Sequence, residues 1–328
     1  MTPLRVVIAG GTGHLGRLLQ RDLRAHGHRV VVLARSGSDS SPDLVCWDGR
    51  TLGAWSRALD GADVLINLAG RSVDCRYTKM NLREMLDSRV DSTRALGEAC
   101  ASAARPPRVW LQSSTATIYA HRRDAPNDEH DGWIGGTEPD APPYWRWSID
   151  IANAWEAALH AFPTPYTRKV VLRTAMVMSL EPRTVFEILL WLARLGLGGA
   201  LGGGDQFVSW IHERDFLRAC RWLIEREDME GVVNVCAPEP LPQRDFAREL
   251  RTATRVPFGF PASAWMLELG ALFLRTDTEL LLKSRRVVPA RLLSAGFRFE
   301  FPAWRDAAAE LVQRRAAGTR EPAAAIAG

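Results

Sequence analysis

The chain has 328 residues, 46% of them hydrophobic and 24% charged, which suffices to bury one large core or two lobes and excludes a disordered chain. Its 42 basic and 38 acidic residues are intermixed and leave a net charge of +4, without the basic stripe that a nucleic-acid binder carries. The five cysteines, Cys46, Cys75, Cys100, Cys220 and Cys236, are odd in number, widely spaced and free of a C-x-x-C pair, so reduced, buried thiols are expected rather than a disulfide framework or a zinc site.

Leu4–Ala9 is an apolar run suited to a strand, and it leads into a loop where Gly10, Gly13 and Gly16 have the G-x-x-G-x-x-G spacing that opens a nucleotide-binding βαβ unit. Gly10 permits the sharp turn, Gly13 lets a pyrophosphate approach bare backbone, and Gly16 lets helix pack on strand. Leu15, Leu18, Leu19 and Leu23 follow at helical spacing. Gly10, Gly11, Thr12, Gly13, His14, Leu15 and Gly16 are therefore expected to surround a phosphate at a helix N-terminus. The first residues lack the long apolar stretch of a signal peptide, Val6–Ala9 being required as a strand, and a cytoplasmic protein is expected.

Further strand-like runs at Arg29–Leu33, Leu44–Trp47, Val64–Leu68, Val109–Leu111 and Lys169–Leu172 alternate with helical patterns. This predicts an α/β fold with a doubly wound, Rossmann-type parallel sheet. The second run ends in Arg35 and Ser36, where an acidic residue would take a ribose 2′-hydroxyl; a guanidinium and a hydroxyl suit a 2′-phosphate, so NADP(H) is expected over NAD(H). Asp48 is placed to contact adenine or to hold a turn, and Asn67, Leu68, Ala69 and Gly70 lie beside the pyrophosphate or form a cap or turn. The stripe of Leu82, Met85, Leu86, Val90, Thr93, Leu96 and Cys100 on a helix from about Met80 to Cys100 is read as packing.

After Leu180 helices dominate, with short strands around Phe207–Ile211 and Val232–Val235. The expected division is a nucleotide domain at 1–180, a smaller, mainly helical substrate lobe at 181–315 and a frayed tail at 316–328, with the ligand between the lobes. Two apolar stretches are interrupted by Glu187 and Arg194 and by Pro261 and Glu268, within the ~20 residues that a membrane span requires. The glycine run Gly196 to Gly204 follows a helix, so it is a lid or a connector and not a second nucleotide loop.

With these landmarks placed, the chain resembles the short-chain dehydrogenase/reductase superfamily, in its atypical, extended-type epimerase branch. The resemblance rests on GGTGHLG at Gly10–Gly16, INLAG at Ile66–Gly70, CRYT at Cys75–Thr78, DSRV at Asp87–Val90, SSTATIY at Ser113–Tyr119 and WEAAL at Trp155–Leu159. It continues through LRTAMV at Leu172–Val177, RLGLGGALGGG at Arg194–Gly204, SWIH at Ser209–His212 and VVPARLLSAGFRF at Val287–Phe299, the last belonging to a small C-terminal domain of unknown function.

The resemblance implies chemistry built on a Tyr and a Lys four residues apart on one helix face, plus a Ser or Thr from the fifth strand. A phenol titrates near ~10, so a neighbouring ammonium must stabilise its phenolate before it can act near neutral pH. Here the tyrosines are Tyr77, Tyr119, Tyr144 and Tyr166, the lysines are Lys79, Lys169 and Lys283, and no pair has that spacing. Tyr166 and Lys169 are three apart at the start of a strand, where they point to opposite faces. In PYWRWSIDIANAWEAAL, one register makes Tyr144 the proton donor with Ser148 replacing the lysine. The other puts Ser148 and Ala152 at the two positions, in line with a branch that generally lacks the dyad.

Thr115 matches the strand-end hydroxyl that hydrogen-bonds a substrate carbonyl or hydroxyl, Ser113 and Ser114 share that neighbourhood, and Tyr119 is expected to overhang the nicotinamide side. The alternative is that these hydroxyls satisfy buried backbone. His212 is read as structural in preference to catalytic, with Asp215 as a helix N-cap. Trp145, Trp147 and Trp210 either line a pocket for an apolar or planar ligand or belong to the core.

The leading expectation is an NADP(H)-dependent oxidoreductase or epimerase-like enzyme, with Thr115 and Tyr119, Tyr144, Ser148 or a water replacing the dyad. A redox sensor without turnover and an acid–base isomerase, cyclase or lyase with a structural cofactor stand beside it. A small-molecule substrate, no metal, no nucleic acid, no membrane, and a monomer or homodimer complete the reading.

Overall fold

The structure is a computed structural model and describes residues 2–35, 43–139, 141–263 and 279–318. β1 (Arg5–Ala9), β2 (Arg29–Ala34), β3 (Leu44–Cys46), β4 (Val64–Asn67), β5 (Val109–Thr115), β6 (Arg168–Thr174) and β10 (Gly231–Val235) form one sheet in the order β10-β6-β5-β4-β1-β2-β3. Every pairing in it is parallel. Successive residues Val6, Val7 and Ile8 are all fully buried, because helices cover both faces of such a sheet. On one face pack Leu19 and Leu23 of α1 (His14–Ala25) and Phe216 and Leu223 of α5 (Glu213–Glu225). On the other pack Leu96 and Ala99 of α2 (Lys79–Ser102) and Leu159 of α3 (Arg146–His160). The strand order reverses between β1 and β4, which opens a crevice at their carboxyl ends.

The Rossmann-type expectation therefore holds, with three differences of detail. β5 extends to Thr115, four residues beyond its apolar stretch, because Gln112, Ser113, Ser114 and Thr115 continue the pairing with β6 although none is apolar. Buried Gln112 is satisfied there, its Oε1 accepting from Trp110 Nε1 at 3.0 Å and Asn67 Nδ2 at 3.0 Å. Val232–Val235 lies in β10, at the edge of the main sheet beside β6, so a cut at 180 does not divide sheet from lobe. Tyr166 is 80% exposed and precedes β6, while Lys169 donates from Nζ to the carbonyls of Leu159 and Phe162, both at 2.9 Å, where α3 ends.

A second core joins Phe186 and Leu190 of α4 (Val185–Arg194), Phe246 and Leu250 of α6 (Gln243–Thr254) and the C-terminal helix Trp304–Ala316. Trp304 centres it, stacked on Phe246 at 4.1 Å and edge-on to Trp210 at 5.0 Å, with its Nε1–H donated to the Phe246 carbonyl. His212 is buried as a structural residue: Nδ1 accepts the Arg214 N–H at the start of α5, and Nε2 lies 3.0 Å from Glu310 on the C-terminal helix. The cap of α5 is thus His212 and not Asp215, whose carboxylate instead accepts the N–H groups of Glu300 and Phe301, both at 2.8 Å. The run from Gly196 to Gly204 is a packed connector: Leu201 N–H donates to Gln243 Oε1, and Gly199 has no room for a Cβ beside the Phe260 carbonyl.

All five thiols are free, but only Cys100, Cys220 and Cys236 are buried; Cys46 is exposed on the edge strand β3. Among the described residues no helix is long and apolar enough to cross a membrane, and no cluster of His, Cys, Asp and Glu could hold a metal ion. Ser36, the stretch around Glu268 and tail residues 319–328 lie outside the described residues.

Candidate cofactor and active site

The glycine loop is shaped by its neighbours. Gly10 has φ +76°, and a Cβ there would stand 2.8 Å from the Leu68 carbonyl and the Ala69 nitrogen. The segment Asn67–Gly70 therefore lies directly against the β1 turn, with Leu68 N–H bonded to the Ala9 carbonyl. A Cβ on Gly16 would fall 2.3 Å from the Gly11 carbonyl, whereas one on Gly13 meets a single non-neighbouring atom within 4 Å, the Gly10 carbonyl at 3.4 Å. Gly13 is thus open on its outer side. It forms the N-cap of α1 without a side-chain cap, and the first turn carries no acid, so the helix end offers free N–H groups and a positive dipole to an anion. These features fit a dinucleotide pyrophosphate.

Two anchors fix the start of α1. His14 Nε2 lies 2.6 Å from Ser179 Oγ, and burial lowers its pKa to about 4, against the opposing pull of Glu181. Arg17 and Arg21 both bind Glu181, at 3.3 and 2.6 Å. Arg35 follows β2 directly and is exposed, at the carboxyl edge where a ribose phosphate would lie. Asp48 holds a turn, accepting Arg50 N–H, Thr51 N–H and the Thr51 hydroxyl at 2.8, 3.0 and 2.5 Å. Chiefly the Thr51 hydroxyl keeps its carboxyl below the usual range.

Asn67 differs from its expected place beside the pyrophosphate. Its side chain is fully buried, donating to Thr93 Oγ1 and Gln112 Oε1 and accepting Ala69 N–H at 3.0 Å. It shapes the loop from behind, and the Leu68 and Ala69 N–H groups are taken by the Ala9 carbonyl and by Asn67 Oδ1.

Beyond the loop, Thr115 ends β5 half-buried, with Oγ1 accepting Thr117 N–H at 3.1 Å, so its own proton is free to point elsewhere. Ser113 lies on the same face of the strand. Ser114 points the other way and donates to Glu156 Oε1 at 2.6 Å, and Glu156 also binds Arg173. Tyr119 does not overhang a ligand: it is 2% exposed, donates its hydroxyl to Asn234 Oδ1 at 2.9 Å and lies under Arg173. Burial raises the Tyr119 pKa, which removes it as a ready proton donor. The physical reason is β10, whose Asn234 gives this phenol a partner inside the core.

Tyr144 sits in the turn before α3, 43% exposed and edge-on to Trp145, while Ser148 and Ala152 are the pair turned inward. Ser148 Oγ donates to Glu279 Oε2 at 2.5 Å. Of the three indoles, Trp145 lines a cavity, Trp147 is 50% exposed and Trp210 belongs to the lobe core. That cavity, about 240 Å³, lies between the Gly136–Pro143 connection, Ile149 on the first turn of α3, and Lys283.

Lys283 is the residue that sequence reasoning passed over. It is 1% exposed, donates from Nζ to the Thr117 carbonyl at 2.8 Å and lies 3.6 Å from Glu279 Oε1. Burial lowers its pKa to about 8, with Glu279 pulling the other way. In LLLKSRRVV a lone lysine beside two arginines looks like surface, and no local pattern shows otherwise.

Comparisons with known proteins agree with this fold. Residues 6–236 match the NAD dependent epimerase/dehydratase family, and residues 262–311 match a domain of unknown function, DUF1731. Epimerase family protein SDR39U1 of Bos taurus is 33% identical over 303 residues, covering 91% of this chain and 96% of its own. The crystal structure of human SDR39U1 with NADPH superposes with a TM-score of 0.82 at 29% identity, over 94% of this chain and 99% of that one. A nucleoside-diphosphate sugar epimerase from Corynebacterium glutamicum gives 0.75 at 25% identity, over 95% of this chain and 58% of that one. From its glycine loop to its C-terminal domain, the chain belongs to the NAD dependent epimerase/dehydratase family.

Proposed function

We propose that this protein is an NADP(H)-dependent oxidoreductase or epimerase-like enzyme, acting on a small carbonyl-type substrate without a Tyr–Lys dyad. The observation that carries the reading is the open glycine loop on an uncapped helix end, with Arg35 as the cation at the β2 edge. The human relative solved with NADPH supports the choice of coenzyme.

In this reading the backbone of Gly10–Gly16 holds the pyrophosphate, Leu68–Gly70 borders it, and Arg35 takes the 2′-phosphate with Ser36 beside it. Asp48 supports the adenine edge through its turn. When bound, NADPH supplies two electrons and a hydrogen to an electrophilic carbon; the protein must position that carbon and polarise its oxygen. The free hydroxyl protons of Thr115 and Ser113 suit the oxygen as charge develops on it. Ser148, on the inward side of α3, stands for the absent phenol. The 240 Å³ cavity beside Trp145 is sized for a small, partly planar molecule.

Calorimetry with NADPH and NADH, followed by coenzyme oxidation across ketones, enones and imines, tests the proposal. Tighter binding of NADPH and turnover in one class are expected. Equal affinity for the two coenzymes refutes the Arg35 role. A protein that distinguishes NADPH from NADP⁺ but turns over nothing is a sensor instead.

A further inference from the structure

Between Thr115 and Ser148, two half-buried hydroxyls on different elements, runs a chain of polar contacts that passes through buried Glu279 and Lys283. Thr115 Oγ1 accepts Thr117 N–H at 3.1 Å, and Thr117 Oγ1 accepts Arg285 Nε–H at 3.1 Å. The Thr117 carbonyl accepts Lys283 Nζ at 2.8 Å, Lys283 faces Glu279 at 3.6 Å, and Glu279 accepts the Ser148 hydroxyl at 2.5 Å. Three of the residues in it, Glu279, Lys283 and Arg285, come from one segment, 279–285, which lies against α3 and the turn after β5.

We propose that Lys283 and Glu279 form a proton relay to Ser148, so that the C-terminal segment supplies what the missing Tyr–Lys pair would supply. The inference rests on the reductase reading above. Ser148 is the group that touches substrate; Lys283 and Glu279 are positioning residues that act through it.

Burial is the first argument. Glu279, Lys283 and Arg285 are 0, 1 and 7% exposed, and desolvating each ion costs several kcal/mol that a buried ion pair does not reliably return. Three such ions beside a cavity, one of them lining it, are poorly explained as a stabilising device.

Proton balance is the second. Reduction of a carbonyl leaves an alkoxide that needs one proton. Ser148 gives its hydroxyl proton to that oxygen, forming the new O–H bond, and recovers one from the Lys283 ammonium across the Glu279 carboxylate. Lys283 ends as the neutral amine and is reprotonated from solvent, so the relay makes no net demand beyond one proton per turnover.

The charges that bear on Lys283 are Glu279 and Arg285 from its own segment and Glu138 from the connection before α3. His121, just after β5, also faces it; burial holds that imidazole at about 4, so it is neutral, and its Nδ1 accepts Ser284 N–H at 2.7 Å. With a pKa of about 8, Lys283 is an ammonium below that pH and an amine above it. Reduction should therefore be fastest below pH 8 and fall above it.

The sequence has three lysines, so NMR of the intact protein carrying ¹³C,¹⁵N-labelled lysine resolves each of them. Lys283 is expected to titrate near 8 and to move lower in Glu279→Gln, which removes the carboxylate that raises it. Titration above 10, or indifference to Glu279→Gln, overturns the relay whether or not a substrate is known. Glu279→Gln/Lys283→Met removes a carboxylate and an ammonium together, which leaves the net charge of the 279–285 cluster unchanged; it should fold, bind NADPH as before, and lose about 10²–10⁴-fold in kcat. Lys283→Arg keeps the charge but cannot release a proton, so it should lose kcat about as far as the double variant. Wild-type kcat and pH profile in the double variant overturn the relay alone. A wild type that turns over no carbonyl overturns the reductase reading itself, and the relay with it.

Discussion

Gly13→Ala and Gly16→Ala should separate binding from folding at the same loop. Gly13 has φ −72° and ψ 175°, which alanine adopts without strain, and its added methyl would meet only the Gly10 carbonyl, at 3.4 Å. A glycine-to-alanine change at such a site shifts stability by about 0.4–1 kcal/mol, in the favourable direction when nothing clashes. That methyl nevertheless occupies the outer face of the helix end, where a phosphate oxygen must come within ~2.9 Å of a backbone N–H. Losing one or two charge-assisted hydrogen bonds, each about 1.5–3 kcal/mol, weakens NADPH binding by roughly 10- to 10⁴-fold. Gly16→Ala instead drives its methyl to 2.3 Å from the Gly11 carbonyl, so α1 must shift off β1. Overpacking of this kind costs about 1–3 kcal/mol in stability. Thermal unfolding and calorimetric titration, run on both variants, read the two effects. Undiminished NADPH affinity in folded Gly13→Ala would refute the placement of the pyrophosphate.

Arg35→Ala should weaken NADPH about 10- to 100-fold and leave NADH nearly unchanged, as loss of a charge-assisted contact to a 2′-phosphate requires; equal weakening of both coenzymes points to a different role. Lys169→Met should cost about 1–2 kcal/mol in chemical denaturation, since two carbonyls at the end of α3 lose their donor, with turnover intact. His14 and His121 have folded pKa values near 4, below their unfolded value, so the stability they contribute is complete above about pH 6.5 and is lost as pH falls towards 4. Unfolding curves across that window should be flatter for His14→Asn than for the wild type.

The nucleotide half was legible because its signals are local. The first apolar run, the glycine spacing, the second run and Arg35 all fall within residues 4–35, and backbone geometry dictates what they form. The active-site half was less so, because its determinants meet only in three dimensions. Ser113–Thr115 look like a polar loop yet extend β5, since their partners on β6 continue the ladder. Tyr119 looked available until Asn234, from more than a hundred residues away, claimed its hydroxyl. Asn67 ends a strand whose carboxyl edge meets the glycine loop, but its side chain turns into the core. Lys283 had no spacing rule to announce it; only the return of the C-terminal segment to α3 makes it a buried cation.

The excursion of the chain into the lobe between β6 and β10 has a consequence for biosynthesis. A ribosome that has released residue 180 has made six of the seven strands of the main sheet, and the outermost on one side, β6, still presents a bare row of amides and carbonyls. That border is sealed only when Gly231–Val235 emerges, so nascent or prematurely terminated polypeptides should need chaperone shielding, and excising the lobe would leave a sticky remnant rather than a minimal coenzyme-binding module.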